Sequence, residues 1–226
     1  MASRDRWQRG SRTSWDARAF PAGTVLAPAT FQRLRSVAGA ITKLWGALGF
    51  TPPAGIVWSE EHAKRVALLG LRIARAVGMS EEQALRILRA GFLRDVGTLA
   101  ISESILLKPG RLTADERSAV QVHPLVSYEL LDALLSTEDL AGIALCHHER
   151  YDGNGYPNGL QGTGIPLEAR VLAIADSLDA MTSWRPYREP LSFPAARKEI
   201  ITQAGRQFDP DIVEVLLRSV YARHAR

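Results

Sequence analysis

The chain has 226 residues, a formal net charge of +4 and a single cysteine, Cys146. That length allows one sizeable core plus an appendage, and the lone thiol excludes an internal disulfide, which suits a reducing cytoplasm. No run approaches the roughly 18 apolar residues that span a bilayer, and the N-terminal residues lack the apolar core of a signal peptide, so a cytoplasmic protein with no transmembrane segment is expected.

Residues 1–28 are rich in Gly, Pro, Ser and Arg without periodicity and read as a solvated arm. Up to Thr51 the basic residues Arg4, Arg6, Arg9, Arg12, Arg18, Arg33, Arg35 and Lys43 face only Asp5 and Asp16. Basic residues do not alternate with aromatics here as they do on a nucleic-acid platform, so no nucleic-acid polymer is expected as partner. From Phe31 to Leu48, Leu34, Val37, Ile41, Trp45 and Leu48 follow helical spacing. This short amphipathic helix could lie on a membrane or dock on a partner, but packing on the main domain is the default expectation. Pro52 and Pro53 then break the chain, which divides it into an arm of residues 1–55 and a domain of residues 56–226.

The domain reads as all-α, a bundle of about seven or eight helices. Ser59 can cap a helix that carries His62, Val66, Leu69, Ile73 and Val77 on one face and stops at Gly78. Ser80-Glu81-Glu82-Gln83 is a capping box opening a helix with Leu85, Leu88, Phe92 and Asp95 in register, and Thr113 to Glu116 is a second box. Leu125, Tyr128, Leu131 and Leu135 mark another helix, and Leu140, Ile143, Ala144 and His147 the next. A Gly-rich loop covers Asp152 to Gly164, followed by a helix from about Pro166 to Met181. Two more helices start near Pro194 and Pro210, where proline suits a first turn, and Gly205 closes the first of them.

Polar groups occupy apolar registers in this pattern. His62, Asp95, His147 and Asp176 each continue an apolar stripe, and Asp179, three after Asp176, points the same way. A buried carboxylate needs a partner or a metal. One such histidine alone is usually a hydrogen-bonded core residue, but several His and Asp turned into one bundle form a ligand set for divalent Mn, Fe or Zn. Such ions suit phosphate-ester hydrolysis, by acidifying the attacking water and holding phosphoryl oxygens. His123-Pro124 and His147-His148 add imidazoles at turns or helix ends. Neighbouring helical residues point about 100° apart, so His147 and His148 can share an ion only if their helix stops there.

The string His147-His148-Glu149-Arg150-Tyr151-Asp152-Gly153-Asn154-Gly155-Tyr156-Pro157-Asn158-Gly159-Leu160 resembles the signature of the HD-GYP family, including its Gly-Tyr-Pro. Leu107 to Thr113, His123-Pro124, Ile165 to Ala180, Arg185-Pro186-Tyr187-Arg188 and Ala204 to Pro210 are similar to the same family, in one consistent order from His62 to Val220. The resemblance implies a phosphodiesterase that cleaves cyclic di-GMP with bound divalent ions. Fe or Mn comes first in expectation, with Zn, Mg or Ni as alternatives. By position, His62, Asp95, His123, His147, His148 and Asp176 fall on metal ligands, with Asp95 as the catalytic carboxylate bridging two ions. Arg185 and Arg188 fall where phosphates and guanines are held, Tyr156 in the loop shaping the cleft, and Asp179 among catalytic-site residues that orient a ligand or water.

The sequence departs from that family at its defining dipeptide. Histidine, aspartate, glycine and lysine are expected, but the string is Leu93-Arg94-Asp95-Val96-Gly97-Thr98. A guanidinium has no lone pair and stays protonated, so Arg94 cannot be a ligand, and turned inward it would repel an ion and pair with Asp95 or Asp176. One ion on Asp95, His123, His147 and His148 is therefore expected rather than two. Trp58, where some relatives carry a glutamate, removes a third, and Thr98 removes a cation. Two outcomes stay open: a weakened hydrolase, or a module without turnover that binds cyclic di-GMP through Arg185 and Arg188 or docks on GGDEF-type diguanylate cyclase domains. A hydrolase of the wider HD superfamily acting on another nucleotide is a third reading, which the Gly-Tyr-Pro string disfavours.

Overall fold

The structure, a computed structural model, describes residues 60–106, 108, 110–134, 140–183 and 189–219. The arm and its helix, Trp58, Ser59, Leu135, Arg185 and Arg188 lie outside the described residues. Among the described residues there are no strands, only two isolated bridges. The helices are α1 (Glu60–Val77), α2 (Glu81–Leu93), the single turn α3 (Glu103–Leu106), α4 (Ala114–Val120), α5 (His123–Leu134), α6 (Leu140–Cys146), α7 (Leu167–Thr182), α8 (Phe193–Thr202) and α9 (Pro210–Ser219), with 3₁₀ turns at Val96–Ala100 and Gly162–Gly164.

Local chemistry sets the helix ends. Gly78, at φ +82°, closes α1, with Met79 donating to the Ala74 carbonyl and Gly78 to that of Arg75, the paired bonds of a Schellman turn. Both capping boxes form: Ser80 with Gln83 opens α2 and Thr113 with Glu116 opens α4. Ser192 caps α8, with proline in its first turn. That helix stops at Thr202, before Gly205, whose amide turns instead to the Phe208 carbonyl.

Helix α7 is the hub. Its Ala169, Val171, Leu172, Ala173, Ile174, Ala175 and Leu178 are buried around most of its circumference, as expected of a helix enclosed by others. It packs on α1, α2, α6 and α8, and α6 in turn packs on α2 and α5. The buried face of α2 differs from the expected stripe: Leu85 is exposed, while Ala84, Ile87, Ala90, Gly91 and Leu93 are buried. Small residues win that face because the backbones of α1 and α2 nearly touch. A Cβ on Gly91 would lie 2.7 Å from Ala67 Cα. Asp95 is likewise not on the helix but beyond it, at φ −97° and ψ 9° before the 3₁₀ turn.

Candidate metal centre

The centre lies where three chain reversals meet. Helix α6 ends at Cys146, so His147 and His148 leave it on the non-helical backbone that lets both rings face one point. His123 is the first residue of α5, and Asp95 follows the end of α2. His123 donates Nδ1–H to the Val120 carbonyl at 2.8 Å, and His147 donates Nδ1–H to the Ala144 carbonyl at 2.6 Å. A carbonyl only accepts, so in each neutral ring the lone pair is on Nε2. These two Nε2 atoms lie 3.4 Å apart, and Asp95 Oδ1 is 3.4 Å from that of His123 and 3.3 Å from that of His147. His148 joins them, so that one ligand atom from each of the four residues lies within 4.8 Å of all the others.

The residues fit a divalent ion. Bonds of about 2.1 Å to a first-row metal separate neighbouring ligand atoms by roughly 3.0 to 3.4 Å, the range in which Asp95, His123 and His147 already stand. The backbone carbonyls on the two Nδ1 atoms are the orienting partners that metal-bound imidazoles usually have. Burial, and then the neighbouring His147 and His123, hold the His148 ring well below the usual imidazole range, so it is neutral and able to ligate. Tyr156 stacks on it, with ring centroids 4.9 Å apart and planes at 26°.

The other expected ligands gather on Arg94 instead. This arginine is 1 % exposed, and its Nη2 donates to Asp176 Oδ1 at 2.8 Å and to His62 Nε2 at 2.9 Å. The same Nη2 lies 2.9 Å from Asp95 Oδ2, while Nη1 donates to the Gly91 carbonyl at 2.6 Å. The buried Nε has no partner. Burial opposes ionisation of Asp95 and Asp176, but Arg94 together with the bonded histidines, His123 and His147 for Asp95 and His62 for Asp176, outweighs it and holds both well below the usual carboxylate range. The structure thus brings four of the six expected ligands together and turns His62 and Asp176 onto the guanidinium.

Asp179 stands behind His62. It accepts Nδ1–H of His62 at 2.6 Å and Nε–H of Arg65 at 2.6 Å, and Arg65 also reaches Ser183 at 3.0 Å. Burial raises its pKa, but the bonds from His62 and Arg65 prevail and hold it at about 2. For His62, burial opposes the proton, while Asp176 and Asp179 favour it and raise the pKa. Thr98 turns its hydroxyl onto the Asp95 carbonyl at 2.7 Å.

Three residues escaped the sequence reading. Arg65 stands three after His62, the spacing by which Asp179 follows Asp176 on the facing helix. Ser127, fully buried one turn after His123, accepts from Gly97 N at 2.8 Å and donates to the Arg94 carbonyl at 2.7 Å. Glu149, also buried, accepts from the amides of Asn158 at 2.8 Å and Leu160 at 3.0 Å and so folds the Gly-rich loop onto the histidines. Polar residues in apolar registers were the available signal for Ser127.

A family model described as HD domain matches residues 56–212. The chain belongs to the HD domain family. Residues 147–160, which resemble the HD-GYP signature, lie inside that match. This HD domain is 49 % identical over 148 residues to the cyclic di-GMP phosphodiesterase response regulator RpfG of Xanthomonas campestris pv. campestris, covering 65 % of this chain and 39 % of that protein. It is 43 % identical over 158 residues to 3'3'-cGAMP-specific phosphodiesterase 2 of Vibrio cholerae (69 % and 30 %) and 41 % identical over 162 residues to a cyclic di-GMP phosphodiesterase of Thermotoga maritima (71 % and 44 %). The matches thus span less than half the length of each of these relatives. Among solved structures, an HDGYP protein of Bdellovibrio bacteriovorus, Bd1817, superposes with a TM-score of 0.59 at 13 % identity, over 85 % of this chain and 64 % of that one. A cyclic GMP-AMP-specific phosphodiesterase of Vibrio cholerae gives 0.56 at 20 % identity, over 85 % and 49 %. Both share the all-α fold.

Proposed function

We propose that this HD domain is a metal-dependent phosphodiesterase that hydrolyses cyclic di-GMP. The observation that carries the reading is the convergence of Asp95, His123, His147 and His148, with both Nδ1 protons of His123 and His147 already spent on carbonyls. These four residues would hold one divalent ion, Fe or Mn by preference for a set of imidazoles and a carboxylate. When bound, that ion supplies a Lewis acid for phosphoryl chemistry. The protein's own part is to fix the ligands, keep His148 neutral and narrow the cleft with Tyr156 stacked over it. Arg185 and Arg188 hold the phosphates and guanines in this reading, while Asp179 acts through His62. In the overall reaction, water's oxygen joins phosphorus, one phosphorus–oxygen ester bond breaks and the departing oxygen takes a proton. A buried Cys146 outside any disulfide accords with a cytoplasmic setting, and among the described residues no helix is long and apolar enough to cross a membrane.

A second reading is favoured by Arg94. Its Nη2 faces three acceptors with two protons, which leaves that nitrogen nothing to offer a phosphate. The domain then binds cyclic di-GMP without cutting it, or docks a GGDEF-type cyclase domain on the Tyr156 loop. Incubation of the purified chain with cyclic di-GMP and Mn or Fe distinguishes them. The linear dinucleotide or GMP is expected as product, and is expected to vanish in His147→Ala. Saturable binding with no product under any of Fe, Mn, Zn, Mg or Ni decides for the second reading.

A further inference from the structure

Two carboxylates and an imidazole, from Asp95, Asp176 and His62, point at one atom, 2.9, 2.8 and 2.9 Å away. That donor set is one expected around a divalent cation, and here the atom at its focus is Arg94 Nη2. The side chain is fully buried, reaching this point from the end of α2, and is tied back by Gly91. Asp95 is divided between two sides: Oδ2 faces the guanidinium, whereas Oδ1 faces His123 and His147.

We infer that Arg94 is a tethered cation that takes the place of an ion between Asp95, Asp176 and His62, and that it positions Asp95 for a single ion on the histidine side. The inference rests on the metal-centre reading above. Three physical points support it. The carboxylates of Asp95 and Asp176 converge on one partly buried point, and two such charges without a cation between them are unfavourable. The guanidinium keeps its proton at any working pH, so the cation is permanent and needs no supply from solution. His62 accepts from Arg94 through Nε2, and its Nδ1 proton goes to Asp179, so in its neutral form its only ring lone pair is engaged. His62 and Asp176 are therefore partners of Arg94 and not ligands of the bound ion.

Metal stoichiometry tests this without recourse to activity. Purified wild-type chain titrated with Mn²⁺ and counted by elemental analysis should bind one ion. His62→Ala should still bind one, whereas His147→Ala should bind none. Arg94→His, which puts a lone pair where the cation stood, should bind two. A wild-type chain holding two ions overturns the inference, as does loss of the ion in folded His62→Ala. A folded Arg94→His chain that still binds one ion overturns it as well. If Arg94→His does not fold, the wild-type count and His62→Ala decide. No ion in the wild type at all sinks the metal-centre reading itself, whereas one ion in both wild type and folded Arg94→His sinks only the role given to Arg94.

Discussion

Ser127 joins the two sides of the centre with one hydroxyl. It takes the Gly97 amide at 2.8 Å and gives its own proton to the Arg94 carbonyl at 2.7 Å, so the backbone on both sides of Asp95 hangs on it. Ser127→Ala would leave a buried N–H and a buried C=O unpaired, at about 1–3 kcal/mol for each. We expect a clear fall in the melting temperature measured by circular dichroism, together with weaker Mn²⁺ binding, because Asp95 is no longer held from both sides. Unchanged ion affinity would show that Asp95 is fixed by Arg94 alone. Gly97 is required for the same contact: a Cβ there would sit 2.1 Å from the His123 carbonyl oxygen and 2.6 Å from Ser127 N. At this scale the sequence was informative about ligand identity but not about partners. His123, His147, His148 and Asp95 were readable because polar groups in apolar registers need an explanation. Arg94 was readable as a misfit, and its inward turn onto Asp95 and Asp176 was one of two orientations left open. The partners of Ser127 and Arg65 were invisible because their bonds join residues 30 and 114 positions apart, which periodicity does not reach.

Among the elements, the loop from Arg150 to Gly164 depends on one buried carboxylate. Glu149 accepts two backbone amides, Asn158 and Leu160, one with each oxygen. Burial raises its pKa while these bonds lower it, and burial prevails. Glu149→Gln keeps the shape but turns one acceptor into a donor facing an N–H, at a local cost of about 1–3 kcal/mol. Amide hydrogen exchange across residues 150–164 should quicken while that of α7 stays unchanged, and affinity for cyclic di-GMP should drop as Tyr156 loses its stacked position over His148. Equal exchange in both chains would mean that the loop is held by other contacts. Helix starts were the most legible elements, since Ser80 and Thr113 boxes are local chemistry. The face of α2 was not. The expected Leu85 and Leu88 stripe follows hydrophobicity, whereas burial follows Ala84, Ala90 and Gly91, because closeness of α1 and α2 rewards small side chains over large ones.

For the whole molecule, the ligands come from three separate chain reversals, after α2, at the start of α5 and after α6. These helices pack on one another, α2 on α6 and α6 on α5, but an ion would join them a second time at a single point. An unfolded chain does not present these four groups together, so the ion binds the native state and stabilises it by mass action. At a free concentration of a hundred times the dissociation constant this amounts to about 2.7 kcal/mol, or very roughly 5–10 °C for a domain of this size. The wild-type melting temperature should therefore rise with added Mn²⁺ and return on chelation. His147→Ala should show no rise. The unliganded chain should nevertheless remain folded, because Arg94 already partly balances Asp95 and Asp176 without help from solution, and this separates it from sites whose carboxylates depend wholly on metal for their counter-charge. A chain that unfolds on chelation at room temperature would mean that the guanidinium does not supply that balance, and that the ion, not Arg94, holds the bundle together around its acidic centre.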